Sequence, residues 1–364
     1  MKSPNPQGPP PAATLTFERE LRTGSYFISN SEQQLTEVSF EVELRRDPLT
    51  RRSGRVAHFQ GFQLVPPDLA AAVAASRSRC PFCPDRIERV TPQLAMRSGG
   101  HGRIHVGQAV VFPNLSPYDR HSFVDVVTRD HYVRPEEFRP DQLCDSLLAA
   151  QRYFGELPAR ADGAYELLTW NYMPPAGATQ VHPHLQGFVT DRPGTLLEEE
   201  VRCGLEFYRH RHRSYWDVLV DEEERSTERF LTRASHTAWL TAFVSRSVLS
   251  DVFVIFPSCR TVTDVPEEGL WEFSHGLCAC LRFLASEGVA AFNLAFYGGP
   301  GGDTRDRFRL HARLSPRIYF NPAIQGSDTT AWHQLLDEPF MVRSPEALAA
   351  ALRPALQAAL TEIR

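Results

Sequence analysis

The chain runs to 364 residues, 42% of them hydrophobic and 23% charged, with a formal net charge of -5. That length suits two average domains, or one larger unit with a duplicated plan. No basic excess draws it onto nucleic acid, so any phosphate site must be local, and no apolar stretch approaches the ~20 residues that span a bilayer.

The lead, residues 1–15, is rich in proline and lacks the apolar centre of a signal peptide, so it is expected to be disordered. Seven cysteines (Cys80, Cys83, Cys144, Cys203, Cys259, Cys278 and Cys280) make an odd set without an export signal. Reduced thiols in a cytoplasmic compartment are therefore expected. Arg45-Arg46-Asp47-Pro48-Leu49-Thr50 reads as a turn, with Arg46 exposed. Cys80-Pro81-Phe82-Cys83 then supplies two thiols at the spacing of a zinc knuckle.

Apolar strands are predicted over Gln108 to Phe112 and Phe123 to Thr128. Asn114 lies in the bend between them, and His121 in the loop leading into the second. A helix from about Pro135 to Glu156 follows, then strands at Tyr165 to Tyr172 and His182 to Thr190. Leu196 to Glu224 looks helical and strongly charged, and its Arg209-His210-Arg211-His212-Arg213 run reads as a solvated face. A second pass has strands near Arg229 to Ala234, Ala238 to Val244 and Val252 to Pro257. A helix from Glu267 to Glu287 comes next, holding Cys278 and Cys280 as packing residues, then strands at Ala290 to Tyr297 and Arg307 to Leu314. Strands, a helix and two more strands, twice over, are what an internal duplication leaves. The fold class is α+β, with antiparallel half-barrel sheets and flanking helices. Residues 16–195 form one half and residues 196–364 the other.

Thr179-Gln180-Val181-His182-Pro183-His184-Leu185-Gln186-Gly187-Phe188-Val189 carries the densest chemistry and reads as one strand bounded by turn residues. Side chains alternate along a strand, so His182, His184 and Gln186 emerge together, with Thr179 just upstream and Val181 and Leu185 facing a core. Burying two imidazoles and an amide on one face is costly unless metal, phosphate or hydrogen bonds satisfy them. Cys80, Cys83, His121 and one histidine of the pair make two sulfurs and two nitrogens, the set of a closed tetrahedral zinc site.

HPHLQ, CPFC and the Arg45 to Thr50 segment together resemble the galactose-1-phosphate uridylyltransferase branch of the histidine triad superfamily. The run Asn171 to Thr179 is similar to that branch's glycine-containing segment ahead of the paired histidines. The resemblance implies two histidine-triad-like halves, with the second motif decayed to Phe308-Arg309-Leu310-His311-Ala312-Arg313-Leu314, and a homodimer. It implies His184 as a nucleophile that holds a nucleotidyl group, and structural zinc on Cys80, Cys83, His121 and His182. Gln186 stands where the hydrolase branch has a third histidine. It can hold a phosphate oxygen without changing charge, which favours transfer over hydrolysis.

Asn171, eleven residues before His182, keeps the family's asparagine spacing, and Thr179 stands where serine is usual. With Gly177, whose backbone can approach phosphate closely, and with Asn114, Arg46 and Arg313, they complete the expected substrate-binding set. Family members carry a second metal on a late HxH pair. Here His311-Ala312-Arg313 keeps only the first histidine, beside a carboxylate candidate at Glu200, so that metal is expected to be absent. The expected activity is ping-pong nucleotidyl transfer on nucleoside diphosphate sugars, with a sugar phosphate or inorganic phosphate as acceptor. Phosphorolysis of an ADP-sugar or dinucleoside polyphosphate, and zinc-stabilised nucleotide binding without turnover, are the alternatives.

Overall fold

The structure, a computed structural model, describes residues 15–363 apart from 32, 58, 60–61, 96–99, 158–163 and 302–305. The proline-rich lead and the end of the Gly298 to Gly302 loop lie outside the described residues. No helix among the described residues is long and apolar enough to cross a membrane. All seven cysteines are free.

Two long strands, β1 (Glu18–Ser29) and β2 (Leu35–Arg46), form an antiparallel ribbon exposed over most of its length. Its base is continued by β3 (Ser53–Ala57). Next come β4 (Ile104–Val106), β5 (Ala109–Pro113), β6 (His121–Val126), α1 (Pro140–Glu156), β7 (Tyr165–Tyr172) and β8 (His184–Thr190). Helices α2 (Thr195–Arg211) and α3 (Tyr215–Ser226) follow, then β9 (Phe230–Arg233), β10 (Ala238–Thr241), β11 (Val252–Ile255) and α4 (Glu267–Ser286). The chain closes with β12 (Ala291–Pro300), β13 (His311–Arg317) and α5 (Pro345–Thr361).

The predicted helix over Pro135 to Glu156 divides into a short 3-10 turn at Pro135–Glu137 and α1. Pro140 occupies the first turn of α1, where its missing N–H costs nothing, and the Arg139 N–H donates to Gln142 Oε1 at 3.2 Å. Leu143, Leu147, Ala150 and Phe154 line the buried face, at the spacing of an amphipathic helix.

Strands β4 to β13 pair into one ten-stranded sheet in the order β9-β10-β11-β13-β12-β7-β8-β6-β5-β4. Every pairing in it is antiparallel. From either edge inward the succession is the same: three consecutive strands, then the fifth, then the fourth. A long helix joins the third and fourth strands each time. One face packs under α1, α4 and α5, burying Phe123, Leu168, Leu185, Leu294 and Leu314. The other face is covered at one end by α2 and α3 over Leu167, Leu240, Phe253 and Ile255. At the other end Phe82 and Ile87 cover Phe112, Val124 and Val126. Between these two covers, alternate residues of β8, β7, β12 and β13 stay half-exposed: Gln186, Thr169, Asn171, Asn293, Ala295, Arg313 and Ser315. The fold leaves a polar strip open across the middle of the sheet.

Glu346 ties the ribbon to the body. Its carboxylate accepts from Arg45 at 2.8 and 3.0 Å and from Arg229 at 2.9 Å, and both guanidiniums are buried. Burial alone would raise its pKa, but the hydrogen bonds and charges of Arg45 and Arg229 outweigh it and hold the carboxyl at about 2. A depressed carboxylate contributes stability above its unfolded pKa and loses it as pH falls towards the folded value. Glu346→Gln should therefore cost about 3 kcal/mol at neutral pH, and the difference from wild type, read by denaturant titration, should close between about pH 4.5 and pH 2.

Candidate functional site

Strand β8 starts at His184, not earlier. Pro183 has no N–H to give a ladder, and residues 177–183 instead form an irregular turn after the 3-10 segment Pro174–Ala176. Met173 enters the 3-10 segment at φ 67° and Gly177 leaves it at φ 80°. The second value suits glycine; the first is a strained conformation held by a fully buried side chain. Within β8, Gly187 faces Phe123 so closely that a Cβ would stand 2.3 Å from the ring. This lets the strand lie flat on the core.

His184 Nδ1 lies 2.8 Å from the His182 carbonyl oxygen. A carbonyl only accepts, so Nδ1 carries the proton and Nε2 keeps its lone pair. Nε2 has no protein partner among the described residues. Burial lowers the pKa of the ring, opposed by the carbonyl hydrogen bond, so the imidazole is neutral at neutral pH. The Phe82 ring stands beside it, centroids 5.2 Å apart. Gln186 follows on the same face, and Thr169, its partner on β7, donates to the Gln186 carbonyl at 3.2 Å.

His182 turns the other way. Its Nε2–H donates to the Thr128 carbonyl at 2.7 Å, which aims Nδ1 at Cys80 and Cys83, with sulfurs 3.6 and 3.8 Å away. The fourth member of this cluster is His131. Ser76 Oγ gives its proton to the Val73 carbonyl and accepts from His131 Nε2–H at 3.0 Å, leaving His131 Nδ1 3.5 Å from Cys83 Sγ. The ligand atoms of Cys80, Cys83, His131 and His182 all lie within 4.8 Å of one another, and all four residues are buried. Burial and the neighbouring Cys80 push the Cys83 thiol up to about 11, so a thiolate pair here needs a cation. Two sulfurs, two aimed nitrogens and hydrogen-bonded outer ring atoms fit tetrahedral zinc.

His121 is not a member of that cluster. Antiparallel pairing sets Val126 opposite His184 and His121 opposite Val189, so His121 starts the wrong end of β6, about 17 Å along the strand. It also points to the face opposite His184. The loop after β6 reaches the cysteines, and it contains His131. The register of β6 against β8, which the structure supplies, places His131 and not His121 beside the cysteines.

Of the expected substrate residues, Asn171 and Asn114 share the open face with His184. Asn114 Oδ1 accepts from the Ser116 N–H at 2.9 Å, while its Nδ2 is buried without a partner among the described residues. Gly177 and Thr179 are exposed in the turn before His182. Arg46 is exposed at the end of β2, on a different sheet, and the Asp47 to Thr50 turn closes on Asp47 Oδ1. Arg313 is already paired, donating to Asp251 at 2.8 Å. Sequence reasoning passed over His131, Phe82, Thr169 and Asn293.

The second pass repeats part of this geometry. His311 opens β13 as His184 opens β8, and its Nδ1 meets the Arg309 carbonyl at 2.9 Å. Its Nε2, however, is taken by Glu200 at 3.3 Å, and Trp216, Tyr297, Phe253 and Phe308 enclose the ring. Among the described residues this corner pairs the imidazole with the Glu200 carboxylate.

No family-level sequence model matches the chain. An uncharacterized protein of Archaeoglobus fulgidus is 29% identical over 311 residues, spanning 84% of this chain and 88% of its own length. ADP-glucose phosphorylase from Arabidopsis thaliana, solved with bound ADP-glucose, superposes with a TM-score of 0.66 at 15% identity over 86% of this chain and 98% of its own. A GalT-like protein from Arabidopsis thaliana gives 0.65 at 16% identity over the same shares, 86% and 98%. A uridylyltransferase gives 0.61 at 19% identity, again over 86% and 98%. The likeness is one of fold: over most of its length the chain shares the fold of these solved phosphorylase, GalT-like and uridylyltransferase structures.

Proposed function

We propose that the chain is a nucleotidyltransferase acting on nucleoside diphosphate sugars through a covalent intermediate on His184. One observation carries the reading: a neutral imidazole on a half-open polar face, its Nδ1 tied to the His182 carbonyl and its Nε2 free. Nε2 attacks the α-phosphorus, and the bond to the bridging oxygen breaks with its electron pair leaving on the sugar phosphate. The positive charge gained by the ring is shared with the His182 carbonyl through Nδ1–H. A phosphate oxygen of the acceptor then attacks the same phosphorus and Nε2 departs. Gln186 can hold a non-bridging oxygen, with Asn171 and the Gly177 to Thr179 turn as further donors.

Zinc, bound by Cys80, Cys83, His131 and His182, supplies no step. Bound there, it would pin His182, two residues before the nucleophile, to the cysteine knuckle. The repeated strand succession supports two histidine-triad-like halves, residues 16–195 and 196–364, with the first equipped for chemistry. A homodimer and a cytoplasmic setting remain part of the proposal.

Incubating the protein with UDP-glucose or ADP-glucose, plus either a hexose 1-phosphate or inorganic phosphate, tests the assignment. A new nucleotide sugar marks a transferase, and a nucleoside diphosphate formed only with inorganic phosphate marks a phosphorylase. No product with any pair, together with tight nucleotide binding, defeats the enzymatic reading in favour of a binding protein. Gln186→His should increase release of free nucleoside monophosphate in the absence of acceptor, measured by chromatography, because a titratable ring replaces a fixed amide. An unchanged ratio of hydrolysis to transfer would remove Gln186 from that role.

A further inference from the structure

We infer that Asn293 is a positioning residue that decides which end of the Asn171 amide faces the substrate phosphates. The inference rests on the nucleotidyl-transfer reading and deepens it. Asn171 on β7 and Asn293 on β12 are directly paired. Asn293 Nδ2 lies 2.7 Å from Asn171 Oδ1 and 3.0 Å from the Ala176 carbonyl oxygen, while Arg317 Nη1 lies 2.6 Å from Asn293 Oδ1.

The two ends of a carboxamide are alike in shape, so its orientation must come from its partners. Here two of the partners act in one direction only. A guanidinium donates and never accepts; a backbone carbonyl accepts and never donates. Asn293 Oδ1 must therefore face Arg317, and its Nδ2 must face Ala176 and Asn171. Asn171 is left to accept through Oδ1, so its own Nδ2 carries the free N–H groups. No described residue takes them.

Those N–H groups belong to a residue on the catalytic face. Thr169, two places earlier on β7, is paired with Gln186, and i, i+2 positions share a face. Arg317 is itself fixed, meeting Asp328 through Nε at 3.0 Å and Nη2 at 2.5 Å. Asp328 is buried and also accepts the Ile318 N–H at 3.0 Å. Orientation thus passes from Asp328 through Arg317 and Asn293 to Asn171, out of the second half of the chain and into the site of the first. The result is a donor aimed where charge develops on the transferred phosphoryl group, held there before substrate arrives.

The test is single-turnover labelling of His184 by UDP-glucose or ADP-glucose, followed by intact mass, with the dissociation constant of each nucleotide sugar measured alongside. Asn293→Asp is isosteric and still accepts from Arg317, but it cannot donate. Asn171 must then turn its nitrogen towards residue 293 and its oxygen towards phosphate. Labelling should slow by at least about tenfold, the size of one charged hydrogen bond. Asn293→Ala, which merely releases Asn171, should cost less despite removing more atoms. In an Asn171→Ala background, Asn293→Asp should cost nothing further.

Melting temperature and zinc content confirm folding in each variant. Wild-type labelling rates in Asn293→Asp would overturn the proposal. So would an Asp penalty of the same size with and without Asn171, the mark of charge repulsion or packing. If the wild type binds nucleotide sugar without an adduct, the transfer reading falls, and the same pattern in dissociation constants still decides the relay. If it neither binds nor reacts, both fall.

Discussion

His184→Ala is expected to abolish nucleotidyl transfer, lowering turnover by on the order of a thousandfold or more, while nucleotide sugar still binds. The size follows from the chemistry. Without Nε2 there is no covalent intermediate, and a ping-pong enzyme has no second route that retains the nucleotidyl group. The ring's contacts are one hydrogen bond to the His182 carbonyl and the neighbouring Phe82 ring, so folding should survive. His184→Asn provides a control, because it restores polar bulk without an equivalent nucleophile. Steady-state rates should vanish in both variants, with dissociation constants changed far less. Transfer at more than a few per cent of the wild-type rate in either would remove His184 from the mechanism.

Removing the metal should have the second largest effect. Wild-type protein should carry about one zinc per chain, and Cys80→Ser or His131→Ala should lose it together with several kcal/mol of stability. His121→Ala should keep both, since that residue sits at the far end of β6 on the opposite face. Metal analysis and thermal melts of the three variants decide between the two histidines directly. Zinc retained in His131→Ala and lost in His121→Ala would reverse the assignment. Catalysis should fall in the zinc-free variants in step with folding, because an ion held by all four residues would have no open position for substrate.

The succession of elements was legible because apolar runs and amphipathic helices have distinct periods. Strands expected at Tyr165 to Tyr172 and Val252 to Pro257, and the helix from Glu267, lie within a few residues of β7, β11 and α4. The HPHLQ segment was misread at its start. Alternation was carried through Pro183, yet the strand begins at His184, and His182 reaches its cysteines from an irregular turn.

The ribbon of β1 and β2 went unread since neither of its faces is buried along most of its length, and hydrophobic periodicity reports burial. Arg313 shows a different limit. Its charge and position suggested an anionic ligand, but Asp251, sixty-two residues earlier, already pairs with it. Such a contact depends on tertiary register, which one chain read alone does not display. Asn293 carried no signal for the same reason: its role exists only through Arg317, Ala176 and Asn171.

The central claim is that the ring at position 184 accepts a nucleotidyl group on Nε2. Mixing the wild-type protein with UDP-glucose or ADP-glucose, without acceptor, and mapping the mass increase by peptide sequencing tests it most directly. A single nucleoside monophosphate per chain on the peptide containing His184, discharged on adding a phosphate acceptor, is the predicted result. An unmodified peptide across the nucleotide panel, or a nucleotidyl group carried by any other residue, would contradict it.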